Sequence, residues 1–173
     1  SYICTLAGRE KNSYFAEDYR LFSHSDKEEI ELQIINNKVA PFTPKFGSVG
    51  WTWGKLYRLD FLKRNRLSYK VGLKRAQDVV FNLHAFERAN NILYIDRFLY
   101  NYRSNHSSAM NRYIENVWGY FQIVLDEFMD FIKRNNKTDL FYLAYNMKVV
   151  SFIYEALIND YFNKQNPKSL KVR

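Results

Sequence analysis

Asp78 is the side chain whose type and position best suit chemistry. It stands in "QDVVFN", at the first turn of a segment, residues 77–89, whose apolar residues recur with helical spacing. A carboxylate there could act as a general base on a hydroxyl. The free N–H groups and positive end of a helix favour the ionised form, so a lowered pKa is expected. An ordinary first-turn aspartate fits the same position, and spacing alone favours that plainer role. Upstream, "WTWGKLYRLDFL" carries two of the chain's 3 tryptophans, Trp51 and Trp53, followed by Gly54 and Lys55. Such rings either fill a core or wall a pocket for a flat, polar or sugar-like ligand. Glycine would let the loop turn close to that ligand, and lysine would supply charge.

Charge is concentrated in the same region. The net charge of +8 belongs to residues 45–75, with nine basic residues against one acid, Asp60; the remainder holds 17 of each sign. A local positive field attracts phosphates, anionic membrane or nucleic acid, although most single lysines suit a solvated face. Cys4 is alone, so no disulfide forms within the chain. There is no Walker-type loop, no GxGxxG, no GxSxG and no metal-spaced Cys/His set. His24, His84 and His106 are far apart, and His84, inside the 77–89 helix, suits a half-buried structural role.

The elements that must position these residues are mostly helices. Aromatics at 18%, with 6 glycines and 3 prolines, favour a helix-rich fold and exclude general disorder. "YICTLAG" and "YFAEDYRLF" read as two strands around a polar turn at Glu10–Ser13. "SDKE" reads as a capping box, with Ser25 as N-cap of a helix running to about Val39 and stopped by Pro41 and Pro44. Residues 41–58 form a glycine-bearing loop, and a short helix follows near Leu59–Asn65. "LSYKVGLKR" is extended and basic. "ILYI" and "FLYNYR" are strands after the 77–89 helix. Two long helices end the chain. Ile114, Val117, Trp118, Phe121, Leu125, Phe128 and Ile132 stripe the first. Leu140, Leu143, Ala144, Met147, Val150, Ile153, Leu157 and Tyr161 stripe the second, capped by Thr138. Both stripes are expected to be core, in an antiparallel pair, with a frayed basic tail beyond. No stretch approaches about 20 uncharged apolar residues, so none reads as a bilayer span.

Read together, four blocks in order resemble the second half of bacterial family-2 glycosyltransferases with the GT-A fold. They are "WGKLY" after an aromatic, a short basic helix, "QDVVFN" and "LYIDRFLYNYRSNHSSAM", over roughly residues 48–110. The resemblance implies an α+β, helix-dominated fold: a few short strands of a GT-A mixed sheet plus the C-terminal helical pair. Residues 1–110 would be the acceptor-side portion and 111–173 a helical appendage. It implies inverting transfer from a nucleotide sugar to an acceptor hydroxyl, with Asp78 as base. Trp51, Trp53, Gly54, Lys55, Gln77, Arg103 and Ser108 would bind substrate. His106 would help ligate a divalent cation, Mn²⁺ or Mg²⁺, though an ordinary loop histidine fits equally well. Gln77 departs from the family's Glu, which puts any contact of that Glu in doubt. It also removes a neighbouring negative charge, so Asp78 should ionise more easily.

The family's nucleotide-binding half and its Asp-x-Asp motif have no counterpart, and no Asp-x-Asp occurs in the chain. The chain therefore reads as a C-terminal fragment, inactive alone and without bound metal. Its parent would build surface polysaccharide or glycoconjugate in the cytoplasm, peripherally at the inner membrane face, on a hydroxyl or lipid-linked acceptor. An exposed sheet edge would favour a homodimer. A nucleic-acid-binding module and a non-catalytic interaction domain are the alternatives; the first does not explain the order of the blocks.

Overall fold

The computed structural model describes residues 2–5, 8–11, 15, 17–23, 26–40, 49–97, 99, 101–103 and 113–168, of which 2–5, 8–11 and 101–103 are described by their backbone. Strand β1 (Tyr2–Thr5) pairs antiparallel with β2 (Gly8–Lys11), Tyr2 opposite Lys11 and Thr5 opposite Gly8. It also pairs in parallel with β5 (Asn101–Arg103), giving a mixed sheet of order β2-β1-β5. The chain thus reverses between Thr5 and Gly8, earlier than the turn expected at Glu10–Ser13, and Glu10 and Lys11 lie in β2. Polarity misled the reading: an edge strand accepts charged residues, and a run of charge is not turn chemistry. Among the described residues of "FLYNYR", Asn101–Arg103 are strand and Leu99 is not.

Strand β3 (Tyr19–Phe22) pairs antiparallel with β4 (Ile92–Ile95). One face turns inward. Phe22 is buried there, Phe15 packs edge-on to Tyr94 at 4.9 Å, and the Arg20 guanidinium lies 4.6 Å from the Phe22 ring centre while pairing with Glu29 at 2.9 Å. The opposite face exposes Tyr19, Leu21, Leu93 and Ile95.

Helix α1 (Lys27–Ile35) is the central helix, with Ile30, Glu31, Leu32, Gln33, Ile34 and Ile35 all buried. Asp26 is its N-cap and makes no side-chain cap bond; Ser25 lies outside the described residues. The helix stops at Ile35, four residues short of Val39, because Asn36 turns extended with its amide on the Leu32 carbonyl. Helices α2 (Leu59–Arg64) and α3 (Gln77–Arg88) lie close to their expected spans. Lys27 Nζ donates to the carbonyls of Glu87 and Ala89, at 2.8 and 2.9 Å, and so closes the C-terminus of α3.

Helices α4 (Val117–Arg134) and α5 (Asp139–Ala156) are antiparallel. The Phe121 and Phe152 rings stack at 4.2 Å at one end of the pair, and Phe131 meets Phe141 at 6.5 Å at the other. α5 packs on α1, and α4 on α3, so one apolar core runs through both halves of the chain. The fold is α+β and helix-dominated.

The face that α5 buries differs from the expected stripe. Phe141, Ala144 and Phe152 are buried, with Tyr145, Val149 and Ala156 packed against them, while Leu140, Leu143, Val150 and Ile153 are exposed. α5 is apolar on nearly every side, so periodicity selects no single face, and the phenylalanines that stack on α4 set the rotation. Ile114 and Trp118 are half-buried rather than core. Thr138 is the N-cap of α5 without a side-chain cap bond. After α5 the chain widens into a π-helical turn, Leu157–Tyr161. The tail up to Lys168 is pinned rather than frayed: Asn166 is buried with its amide on Asp160, at 3.0 Å, and Lys168 pairs with Glu115 at 3.0 Å. Among the described residues, no helix is long and apolar enough to cross a membrane.

Candidate active site

The segment 49–57 hangs between α1 and α3 by side chains that both helices bury. The Val49 amide donates to Gln33 Oε1 at 3.0 Å. Asn82 of α3, fully buried, donates from Nδ2 to the Gly50 carbonyl at 2.7 Å, and its Oδ1 accepts the Tyr57 hydroxyl at 2.5 Å. One amide therefore fixes both ends of the loop. Asn82→Ala leaves those buried partners unsatisfied and should cost about 2–3 kcal/mol in urea unfolding; a loss below about 0.5 kcal/mol would show that the loop is held by other contacts.

Between those ties, the Trp51 and Trp53 rings lie 4.7 Å apart at 34°. They form one half-buried slab rather than two facing walls. Gly54 has φ 71°, so the turn after Trp53 needs a residue without Cβ. The turn carries Lys55 back, and its Nζ donates to the Trp51 carbonyl. Burial lowers the Lys55 pKa to about 8, against the pull of Asp78's charge.

Asp78 follows Ala76, which has φ 55°, a left-handed conformation strained for alanine. Asp78 Oδ1 accepts from the Val79 amide at 2.9 Å. Its pKa is raised, not lowered as expected. Burial outweighs the amides of Val79 and Asp78 itself and the nearby Lys55 charge, all of which favour ionisation. Asp78 and Lys55 are thus both desolvated and each feels the other's charge, while Lys55 reaches back to Trp51. Tyr57 completes the cluster, its phenol held well above its usual range by burial. Its ring meets Phe81 edge-on at 5.4 Å, and Tyr69 stacks on the same Phe81 at 4.8 Å.

The structure therefore links Lys55 to Trp51 by a hydrogen bond, Trp51 to Trp53 by ring contact, and Lys55 to Asp78 through their mutual charge. Gln77 is exposed at the start of α3. Arg103 lies in β5 opposite Cys4, and its side chain is outside the described set. His106 and Ser108 lie outside the described residues, as does His24. Tyr57 and Asn82 were not singled out from sequence. The usable signal was the four-residue step from Asp78 to Asn82, which puts both on one face of α3.

Part of the basic stretch is paired with acids. Arg58 and Arg64 both pair with Asp60, at 3.1 and 2.8 Å, and Lys70 pairs with Glu127 of α4. Glu127 also meets His84 Nε2 at 3.3 Å, in keeping with a structural His84. Burial would raise the Glu127 pKa, but hydrogen bonds from Lys70 and His84 hold it below the ordinary value.

Among the described residues, no group of three or more His, Cys, Asp or Glu side chains could hold a metal ion. A cavity of about 940 Å³ lies among the terminal helices, and none of the clustered residues lines it.

No family model and no solved structure matches the chain. Two curated proteins of Bacillus subtilis (strain 168) do. It is 25% identical over 114 residues to EpsH, a protein named as a glycosyltransferase, covering 65% of the chain and 33% of that protein. It is 35% identical over 60 residues to EpsJ, named an uncharacterized glycosyltransferase, covering 35% of the chain and 17% of that protein. The matched residues therefore span at most a third of the length of these relatives, and the relationship supports a glycosyltransferase role in general terms.

Proposed function

We propose that the chain is the acceptor-side part of an inverting family-2 glycosyltransferase of GT-A type. In this reading residues 1–110 belong to the transferase domain and 111–173 are its helical appendage. The whole enzyme moves a sugar from a nucleotide-sugar donor to an acceptor hydroxyl in bacterial surface polysaccharide or glycoconjugate synthesis, in the cytoplasm at the inner membrane face. The observation that carries the reading is the mutual charge of the half-buried Asp78 and Lys55, with Lys55 Nζ on the Trp51 carbonyl. The half-buried Asp78 carboxylate, with a pKa above that of an ordinary aspartate, takes the acceptor proton as the hydroxyl oxygen attacks the anomeric carbon and the bond from that carbon to the diphosphate breaks, releasing the nucleoside diphosphate. Lys55 supplies positive charge toward the donor's diphosphate, and the indoles offer apolar surface to a sugar ring. A divalent cation is part of this proposal for the whole enzyme. The described residues provide no ligand set for it, His106 lies outside them, and no step here runs through it.

The test is transfer from a panel of UDP-sugars with Mn²⁺ by the full-length protein. Product formation supports the reading. Salt-dependent oligonucleotide binding without transfer would instead favour a nucleic-acid module. Because Lys55 loses its proton near pH 8, donor affinity should weaken as pH rises through that value. Lys55→Arg, which stays charged, should flatten the profile. An identical pH profile in both proteins would remove Lys55 from donor binding.

A further inference from the structure

The cavity of about 940 Å³ lies where the start of α4, the end of α5, the π turn and the tail meet. Its size falls in the ~300–1,000 Å³ range of small-molecule sites. Four aromatic residues line it: Tyr113, Trp118, Tyr120 and Tyr161. Its charged lining is balanced. Lys74 and Lys168 stand against Glu115 and Asp160, with Lys168 already paired to Glu115 at 3.0 Å and Lys74 Nζ 5.8 Å from the Tyr120 ring centre. An anion gains little from such a site. Asp160 is fixed before any ligand arrives, since its Oδ1 accepts from the Tyr113 hydroxyl at 2.9 Å and from Asn166 Nδ2 at 3.0 Å. The π turn that carries Asp160 and Tyr161 is a local departure from α-helix of a kind frequent at functional sites.

We propose that this cavity binds an uncharged saccharide, separately from the Asp78 cluster. Aromatic faces match the apolar C–H faces of a sugar ring, and the carboxylate, amide and phenol groups match its hydroxyls. The volume accommodates more than one ring, so the ligand class is a neutral di- or oligosaccharide. The proposal goes beyond the transferase reading and does not depend on it, because binding here needs neither donor nor transfer.

The test is a ¹H–¹⁵N NMR titration of the 173-residue chain with N,N′-diacetylchitobiose and with maltose, to about 20 mM, as suits the weak, millimolar end of the affinity scale. Trp118→Phe identifies the Trp118 indole signal. That signal should shift saturably with at least one disaccharide. Tyr161→Ala, at a partly exposed ring, and Asp160→Asn should each weaken binding about tenfold, which corresponds to about 1.4 kcal/mol. Val71→Ser, at an exposed residue outside the cavity, should leave it unchanged. Melting curves establish that each variant folds, and Tyr161→Ala carries the test if Asp160→Asn does not. No saturable shift, a shift confined to Trp51 and Trp53, or a shift produced by an alkyl detergent and by neither sugar overturns the proposal.

Discussion

Replacing Asp78 by asparagine in the full-length enzyme should lower transfer by about 10²–10⁴-fold, the usual worth of a positioned general base. Donor binding, read by calorimetry with the UDP-sugar, should stay within about twofold, because the amide keeps the shape and the Val79 contact. The pH profile carries more information. Transfer needs the ionised carboxylate, so the rate should fall on the acid side through a pKa above the ordinary aspartate value of 3.8. Lys55→Met removes the positive charge that favours ionisation, so that acid limb should move further upward. Transfer that survives in Asp78→Asn, or an acid limb unmoved by Lys55→Met, would take the base role away from Asp78.

Lys137→Met should destabilise the fold by about 2–3 kcal/mol in urea at neutral pH, the cost of leaving the buried Glu31 carboxyl and its neighbour Glu87 without their hydrogen-bond donor. Lys137 Nζ sits 2.8 Å from Glu31 and 2.7 Å from Glu87, and 5.4 Å from the ring centres of both Phe131 and Phe141. Glu31 is fully buried. Burial raises its pKa from 4.5 to about 8, even with Lys137 opposing. Burial acts on Glu87 in the same direction, but the ammonium wins and its pKa is lowered. Burial would lower the Lys137 pKa, and the two carboxylates raise it instead. The sign follows. A folded-state pKa above the unfolded one means that Glu31's contribution is complete below 4.5 and is lost as pH rises to about 8. Wild-type stability should therefore decline across that window, and Glu31→Gln should flatten the decline. Lys137→Met should recover part of its loss at the acid end. A loss under about 1 kcal/mol, the same at every pH, would reduce the trio to a surface ion pair.

Legibility in the sequence followed the strength of local rules. α3 was readable because its apolar residues recur at one spacing; the short α2 lay where it was expected. α5 was readable as a helix but not in rotation, since its Phe and Leu positions compete and only the stacking of Phe121 on Phe152 decides between them. The first hairpin was misplaced because Glu10 and Lys11 look like turn residues, while the partner that makes them strand is β1. Within the site, Asp78, Lys55 and the tryptophans were legible as residue types in an ordered set of blocks. The direction of Asp78's pKa was not, because desolvation depends on what packs around a residue, whereas its place at a helix start is visible locally. Asn82 escaped for a related reason: an asparagine becomes a loop anchor only when Gly50 and Tyr57 arrive from elsewhere in the chain.

Glu127 belongs to α4, yet its two oxygens hold Lys70 of the basic strap and His84 of α3. The strap that leads into Asp78 is thus moored electrostatically, by groups that water still reaches. Dissolved salt weakens such a mooring without touching the phenylalanine core. Raising ionic strength should accordingly loosen the approach to Asp78 while the helices stay folded.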